Sequence, residues 1–233
     1  MYRFILLVLV CFSLTYADTK EALKAYKSGD YASAFKLYEK SAKEGDTLAQ
    51  NALSYLYFNG IGTKKDIDAG LSWLKKAAHN MDATAQYDLA MMYLTGENIK
   101  QNKSLAYTWF DSASDLGNDK AQYNLALMYY NGDAVDQNIS KAAELLEKSA
   151  LQGNKDAIKN VGRIYMQLIK FDKAKKWLEI EANDGDIGAY YLLAEIYCNN
   201  EEFKKAKKWA KKSIDAGNED AKELWEKYHL EDY

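Results

Sequence analysis

Gly45 to Asn80 reads GDTLAQNALSYLYFNGIGTKKDIDAGLSWLKKAAHN, and this stretch returns twice at the same length. Its Ala49-Gln50 pair recurs as Ala85-Gln86 and Ala121-Gln122, a step of 36 residues. The alanine continues at Ala157, then at Ala189 and Ala221 in steps of 32. A tyrosine keeps the rhythm at Tyr57, Tyr93, Tyr129, Tyr165 and Tyr197, and a large apolar residue at Leu37, Trp73, Trp109, Leu145, Trp177 and Trp209. A unit this small cannot bury its apolar face alone and must stack on copies of itself. The expected fold is therefore all-α, a solenoid of antiparallel helix hairpins with about thirteen helices in all.

Within the quoted stretch, Ala49, Ala52, Leu53, Leu56 and Tyr57 have helical spacing and predict a first helix over about Thr47–Phe58. Asn59-Gly60 ends it, and Asp66 opens a second helix that runs to about His79 and buries Ala69, Trp73, Leu74 and Ala77 or Ala78. The joint between hairpins has its own signature. Asp46 follows Gly45, and the same slot holds Asp82, Asn118, Asn154, Asp186 and Asn218, side chains whose short oxygen satisfies exposed N–H groups at a helix start. Glycine precedes five of these six and stops the previous helix; Met81 precedes the other, so that joint is expected to end differently. The chain has no proline, which leaves turns to Gly, Asn and Asp.

Five segments follow. Residues 1–17 are expected to be a signal peptide: Arg3, an apolar run from Phe4 to Leu14, and Thr15-Tyr16-Ala17 as the cleavage site. The run is too short for a membrane span. Residues 18–44 form a partial first repeat, 45–152 three full repeats, and 153–216 two shorter ones that lose four residues between the helices. Residues 217–233 form a capping helix, and the mature chain is read as one domain. Arg3 is the one charge in the leader, so its loss moves the formal net charge from −3 to −4. No broad basic surface results, which argues against nucleic acid as a partner. The lysines at 204, 205, 207, 208, 211 and 212 read as a solvated helix face. With Cys11 in the leader, Cys198 is left alone, a packed thiol without a disulfide partner.

The residues Ala49, Gln50, Leu53, Tyr57, Gly60, Gly62, Gly70, Trp73 and Ala77, with their counterparts in the next two units, resemble the Sel1-like repeat, a relative of the tetratricopeptide repeat. The shorter fourth and fifth units resemble plain tetratricopeptide hairpins. The resemblance implies a right-handed superhelix that binds other proteins, not one reaction. It also implies that the first helix of each hairpin lines a concave face. Two rows on that helix are the candidate partner-binding residues: Asn51, Tyr87, Tyr123, Lys159 and Tyr191, and Tyr55, Met91, Leu127, Arg163 and Glu195. The tyrosines would be flat amphipathic anchors and Arg163 an anion clamp. The expected function is an exported, periplasmic or secreted scaffold for a protein or peptide partner.

Two alternatives accompany it. A structural adaptor role in envelope assembly is one. The other is the β-lactamase or penicillin-binding activity attributed to cysteine-rich family members. Ser33-Ala34-Phe35-Lys36 and Ser72-Trp73-Leu74-Lys75 match S-x-x-K, but no S-D-N or K-T-G accompanies them and the paired cysteines are missing. The chain is therefore read as non-enzymatic. His79 and His229, the two histidines, lack companion cysteines, so neither a metal nor a cofactor is expected. Asn138 lies in N-x-S, with Asp136 two residues before it: an N-glycosylation acceptor, or the N-cap of the following helix.

Overall fold

The computed structural model describes residues 18–233, so the expected leader lies outside the described residues. Thirteen α-helices follow one another there: α1 (18–27), α2 (Tyr31–Lys43), α3 (Thr47–Asn59), α4 (Ile67–His79), α5 (Ala83–Thr95), α6 (Lys103–Asp115), α7 (Asp119–Asn131), α8 (Ile139–Leu151), α9 (Lys155–Gln167), α10 (Phe171–Asn183), α11 (Ile187–Asn199), α12 (Phe203–Asp215) and α13 (Asp220–Lys227). A 3-10 turn, Leu230–Asp232, closes the chain. The helices pair into hairpins, odd-numbered first, and the fold is the expected all-α solenoid of repeats. The chain divides into two compact units, one up to Leu125 and one from Ala126, with the boundary inside α7.

Both units are built around alanine. Ala49, Ala85, Ala121, Ala157, Ala189 and Ala221 are fully buried, as are Ala34, Ala106, Ala142, Ala174 and Ala206 at the corresponding place in the second helices. A methyl group lets neighbouring backbones approach; larger side chains fill the space beside it. Gly70 stands where those second helices otherwise carry alanine, and a Cβ there would lie 2.7 Å from the Phe58 ring.

The joints confirm the capping reading at five of six slots. The side chains of Asp46, Asp82, Asn118, Asn154 and Asp186 accept from the N–H of Ala49, Ala85, Ala121, Ala157 and Ala189, at 2.7–3.0 Å. The sixth differs: α13 starts one residue later, at Asp220, and its N-cap residue Glu219 makes no side-chain cap. Met81, expected to end its helix differently, ends it as the glycines do, with φ 66°. An L-residue pays steric strain for that conformation.

The sequence also carried a joint contact that the caps do not explain. Gln50 Nε2 donates to the Ala42 carbonyl at 3.1 Å, Gln86 Nε2 to Ala78 at 3.0 Å and Gln122 Nε2 to Ser114 at 3.4 Å. Each buried glutamine thus satisfies a carbonyl in the last turn of the preceding helix, where intrahelical donors run out.

The loop inside each hairpin is anchored at one place whatever its length. The tyrosine carbonyl accepts from the residue that precedes the second helix: Tyr57 from Asp66 N, Tyr93 from Asn102 N, Tyr129 from Asn138 N, Tyr165 from Lys170 N and Tyr197 from Glu202 N. In the long hairpins that residue also caps the second helix through its side chain; Lys170 and Glu202 make no side-chain cap.

The large apolar column needs correction. Leu145, Trp177 and Trp209 are buried, but Leu37, Trp73 and Trp109 are only partly so. Trp109 lies edge-on to His79, with ring centroids 5.1 Å apart. The next residue of each second helix fills the core instead: Tyr38, Leu74, Phe110, Leu146 and Leu178 are all at least nine-tenths buried. Adjacent helical residues point about 100° apart, so the shift by one residue turns the packed stripe toward this neighbour.

Candidate functional site

In the first unit exposed aromatic and apolar side chains gather on α1 and α3, with Tyr31 on α2 and Leu105 on α6 also open. Tyr55 is 52% exposed and Leu48 59% exposed on α3, and Leu23 is 44% exposed on α1. With Tyr26, Tyr38, Asn51, Ala52, Leu56 and Asp88 they line a cleft of about 370 Å³. Interaction with the Tyr55 side chain raises the Tyr26 pKa. Asn51 Nδ2 donates to Asp82 Oδ1 at 3.2 Å, tying α3 to the next joint. Burial, reinforced by Asp82, pushes the Asp88 carboxyl up to about 6; Lys120 acts in the opposite sense.

Of the other expected contact residues in this unit, Tyr87, Met91 and Tyr123 are half-buried. The Tyr87 ring lies 5.9 Å from Phe110 and 6.0 Å from Lys120 Nζ, so one side of it is packed and burial raises its pKa.

In the second unit Leu127, Tyr191 and Glu195 are half-buried and Lys159 is exposed. Arg163 is not the open anion clamp its position suggested. Its guanidinium pairs with Glu181, donates to the Lys159 carbonyl and reaches Asp186 Oδ1 at 2.9 Å. Glu181 is buried, and burial pushes its carboxyl up against the pull of Arg163. Gly162 makes room: a Cβ there would lie 2.9 Å from Leu178 and 3.3 Å from Glu181 Oε1. Arg163 therefore serves the packing of α9, α10 and α11.

A second polar element recurs in this unit. The Tyr165 hydroxyl donates to Glu147 at 2.6 Å, and the Tyr197 hydroxyl donates to Glu179, each acid lying 18 residues earlier. Lys173 Nζ donates to the same Glu147 at 2.9 Å. Burial and the Glu147 contact push Tyr165 up to about 12. Burial alone would raise Glu147; the bonds from Tyr165 and Lys173 hold it below the usual carboxylate range. These contacts join each hairpin to the one before it, α8 to α9 and α10 to α11.

The remaining sequence candidates are placed as follows. Asn138 caps α8, its side chain accepting from Lys141 N at 2.9 Å, and it is exposed. Ser33 lies in the first turn of α2, where its N–H donates to Asp30, and Ser72 is exposed on α4. Cys198 is buried and burial pushes its thiol up to about 11, so little thiolate forms near neutral pH. The lysine-rich α12 lays several side chains over aromatic rings: Lys208 and Lys212 lie 4.9 and 4.7 Å from the Trp209 ring, and Lys205 5.2 Å from Tyr197. Among the described residues no group of three or more His, Cys, Asp or Glu side chains could hold a metal, and no helix is long and apolar enough to cross a membrane.

Sequence reasoning missed Leu23, Tyr26, Leu48 and Asp88. A signal for Asp88 existed. It adjoins the core residue Leu89, at a place where other hairpins carry Ala52, Asn124, Asn160 or Leu192.

The model of the Sel1 repeat matches residues 25–46, 47–80, 83–118, 119–154 and 187–218. The fifth unit, α11 and α12, is thus matched, although its short loop resembled a plain tetratricopeptide hairpin, and the fourth unit, α9 and α10, is not. A protective antigen of uropathogenic Escherichia coli strains displaying an SLR fold is 27% identical over 92% of this chain, with a TM-score of 0.71. The chain spans 49% of that structure's length. A Sel1 repeat protein from Oxalobacter formigenes is 25% identical over 88% of this chain and 84% of its own, with a TM-score of 0.66. No curated protein sequence matches.

Proposed function

The chain belongs to the Sel1-repeat family, and from that premise we propose that it is an exported scaffold that binds a protein or peptide partner on the inner, concave face of its hairpins. Sel1 repeat proteins are generally protein-interaction scaffolds. The observation that supports a surface on the first helices is the contrast between neighbouring positions. Ala49, Leu53, Ala85, Leu89, Ala121 and Leu125 are essentially fully buried, whereas Tyr55, Tyr87 and Tyr123 on the same helices keep accessible ring surface. Tyrosine offers large contact area with few rotatable bonds and a polar end, the composition of binding anchors.

In this reading Asn51, Tyr55, Tyr87, Met91 and Tyr123 contact the partner in the first unit. Leu127, Lys159, Tyr191 and Glu195 do so in the second, and Arg163 holds the surface behind them. Export rests on residues 1–17, and Asn138 would be open to a glycosylating enzyme of the compartment.

The test is affinity capture of the partner with the tagged chain, followed by measurement of its Kd. Replacing Tyr87 and Tyr123 by alanine is expected to weaken binding by about tenfold or more while leaving the chain folded. Unchanged affinity, or loss of the folded state, would reject the assignment of these rings to the surface.

A further inference from the structure

The cleft between α1, α3 and α5 has an uneven chemistry. Of its lining residues, Leu23, Leu48, Ala52 and Leu56 are aliphatic, Tyr26, Tyr38 and Tyr55 are aromatic, and Asp88 is the one charged group. Core packing does not explain it, since Leu23, Leu48 and Tyr55 leave about half their surface in water. A carboxylate in such a wall is poorly solvated. Its neighbours do not fully compensate. Asp82 repels it, while the Asp82 Oδ1 atom is itself occupied by Ala85 N and Asn51 Nδ2. Lys120 attracts it from α7. The tyrosines Tyr26, Tyr38 and Tyr55 add ring surface, whose faces attract cations.

We propose that this cleft receives a basic side chain, lysine or arginine, of a partner protein, with its methylene stem against Leu23, Leu48 and the Tyr55 ring and its charge at the Asp88 carboxylate. The proposal rests on the scaffold reading and names the chemistry of one contact within it. Long basic side chains suit such a place because their stems bury apolar area while the head keeps its charge. The partner's cation supplies the opposite charge that the cleft lining lacks, and the apolar rim excludes water around the pair. An acidic side chain meets repulsion there, and an apolar one leaves Asp88 poorly solvated with Lys120 as its counter-charge. Because the Asp88 carboxyl titrates near pH 6, the preference for a cation holds above that pH and fades below it as the group takes up a proton.

The experiment titrates the full chain with three capped peptides, acetyl-Gly-Ser-X-Ser-Gly-amide, where X is lysine, norleucine or glutamate. Binding is followed by amide NMR shifts. At pH 7.5 the lysine peptide is expected to bind at least about fivefold tighter than the norleucine peptide, with shifts around Leu23, Leu48 and Asp88, and the glutamate peptide more weakly than either. The lysine preference is expected to vanish at pH 5 and in Asp88→Asn. That variant removes a poorly solvated charge and keeps a similar shape, so it should remain folded; Tyr55→Ala, at an exposed ring, is a second variant expected to weaken the lysine peptide. Equal binding of the lysine and norleucine peptides, a preference that survives Asp88→Asn, or no binding by any peptide would overturn the proposal. None of these results bears on Tyr87 and Tyr123, which lie outside the cleft lining, so the scaffold reading is judged separately.

Discussion

Gln50 and Gln86 occupy the same place in consecutive hairpins but are not equally satisfied. Gln50 Oε1 accepts from Asn80 Nδ2 at 2.9 Å, whereas Gln86 Oε1 is buried without a donor. The counterpart of Asn80 in the next hairpin is Leu116, which is 40% exposed at the end of α6. Leu116→Asn is therefore expected to supply the missing bond and raise stability by about 0.5–1.5 kcal/mol, measured by urea denaturation. In a Gln86→Leu background the same substitution should give no gain. The repeated Ala-Gln pair was legible as a period, but its meaning was not. Spacing shows that a residue recurs; it does not show that an amide reaches eight residues back to a helix end. Arg163 carries the same lesson. Its position on the exposed row was legible, while the buried acid that claims it, Glu181, stands where other hairpins have serine or alanine and lies in a different helix.

Hairpins were the most legible level, because each of their determinants is local. The Asp or Asn caps, the glycine stops and the tyrosine before the loop act within a few residues of themselves. The four-residue difference between long and short loops follows from counting: residues 60–66 link α3 to α4, and 168–170 link α9 to α10. Which aromatic of a helix enters the core was less legible, since Trp109 and Phe110 are both large and apolar. The periodic tryptophan is expected from its spacing to fill the interior, yet Phe110 is fully buried and Trp109 is not. Phe110→Ala should consequently cost about 3–5 kcal/mol through the cavity it leaves. Trp109→Ala should cost less, about 1–2 kcal/mol, because part of its ring already meets water. Thermal melts of the two variants check the order; a larger loss for Trp109→Ala would restore the tryptophan to the spine.

For the whole molecule, recurring residues and departing residues divide the work. Alanines, caps and the tyrosine carbonyls repeat because every hairpin must stack and turn in the same way. Function was legible only as a family tendency, since on the proposed reading specificity sits in residues that differ between hairpins, such as Tyr55, Asp88 and Lys159. A period cannot reveal them. The most direct test of that division is hydrogen exchange of the chain alone and bound to its captured partner. Binding is expected to slow exchange in α3 and α5, while α4 and α6, which carry the other half of each hairpin, stay unchanged. Slowing confined to α4 and α6 would place the partner on the opposite side of the hairpins and contradict the account.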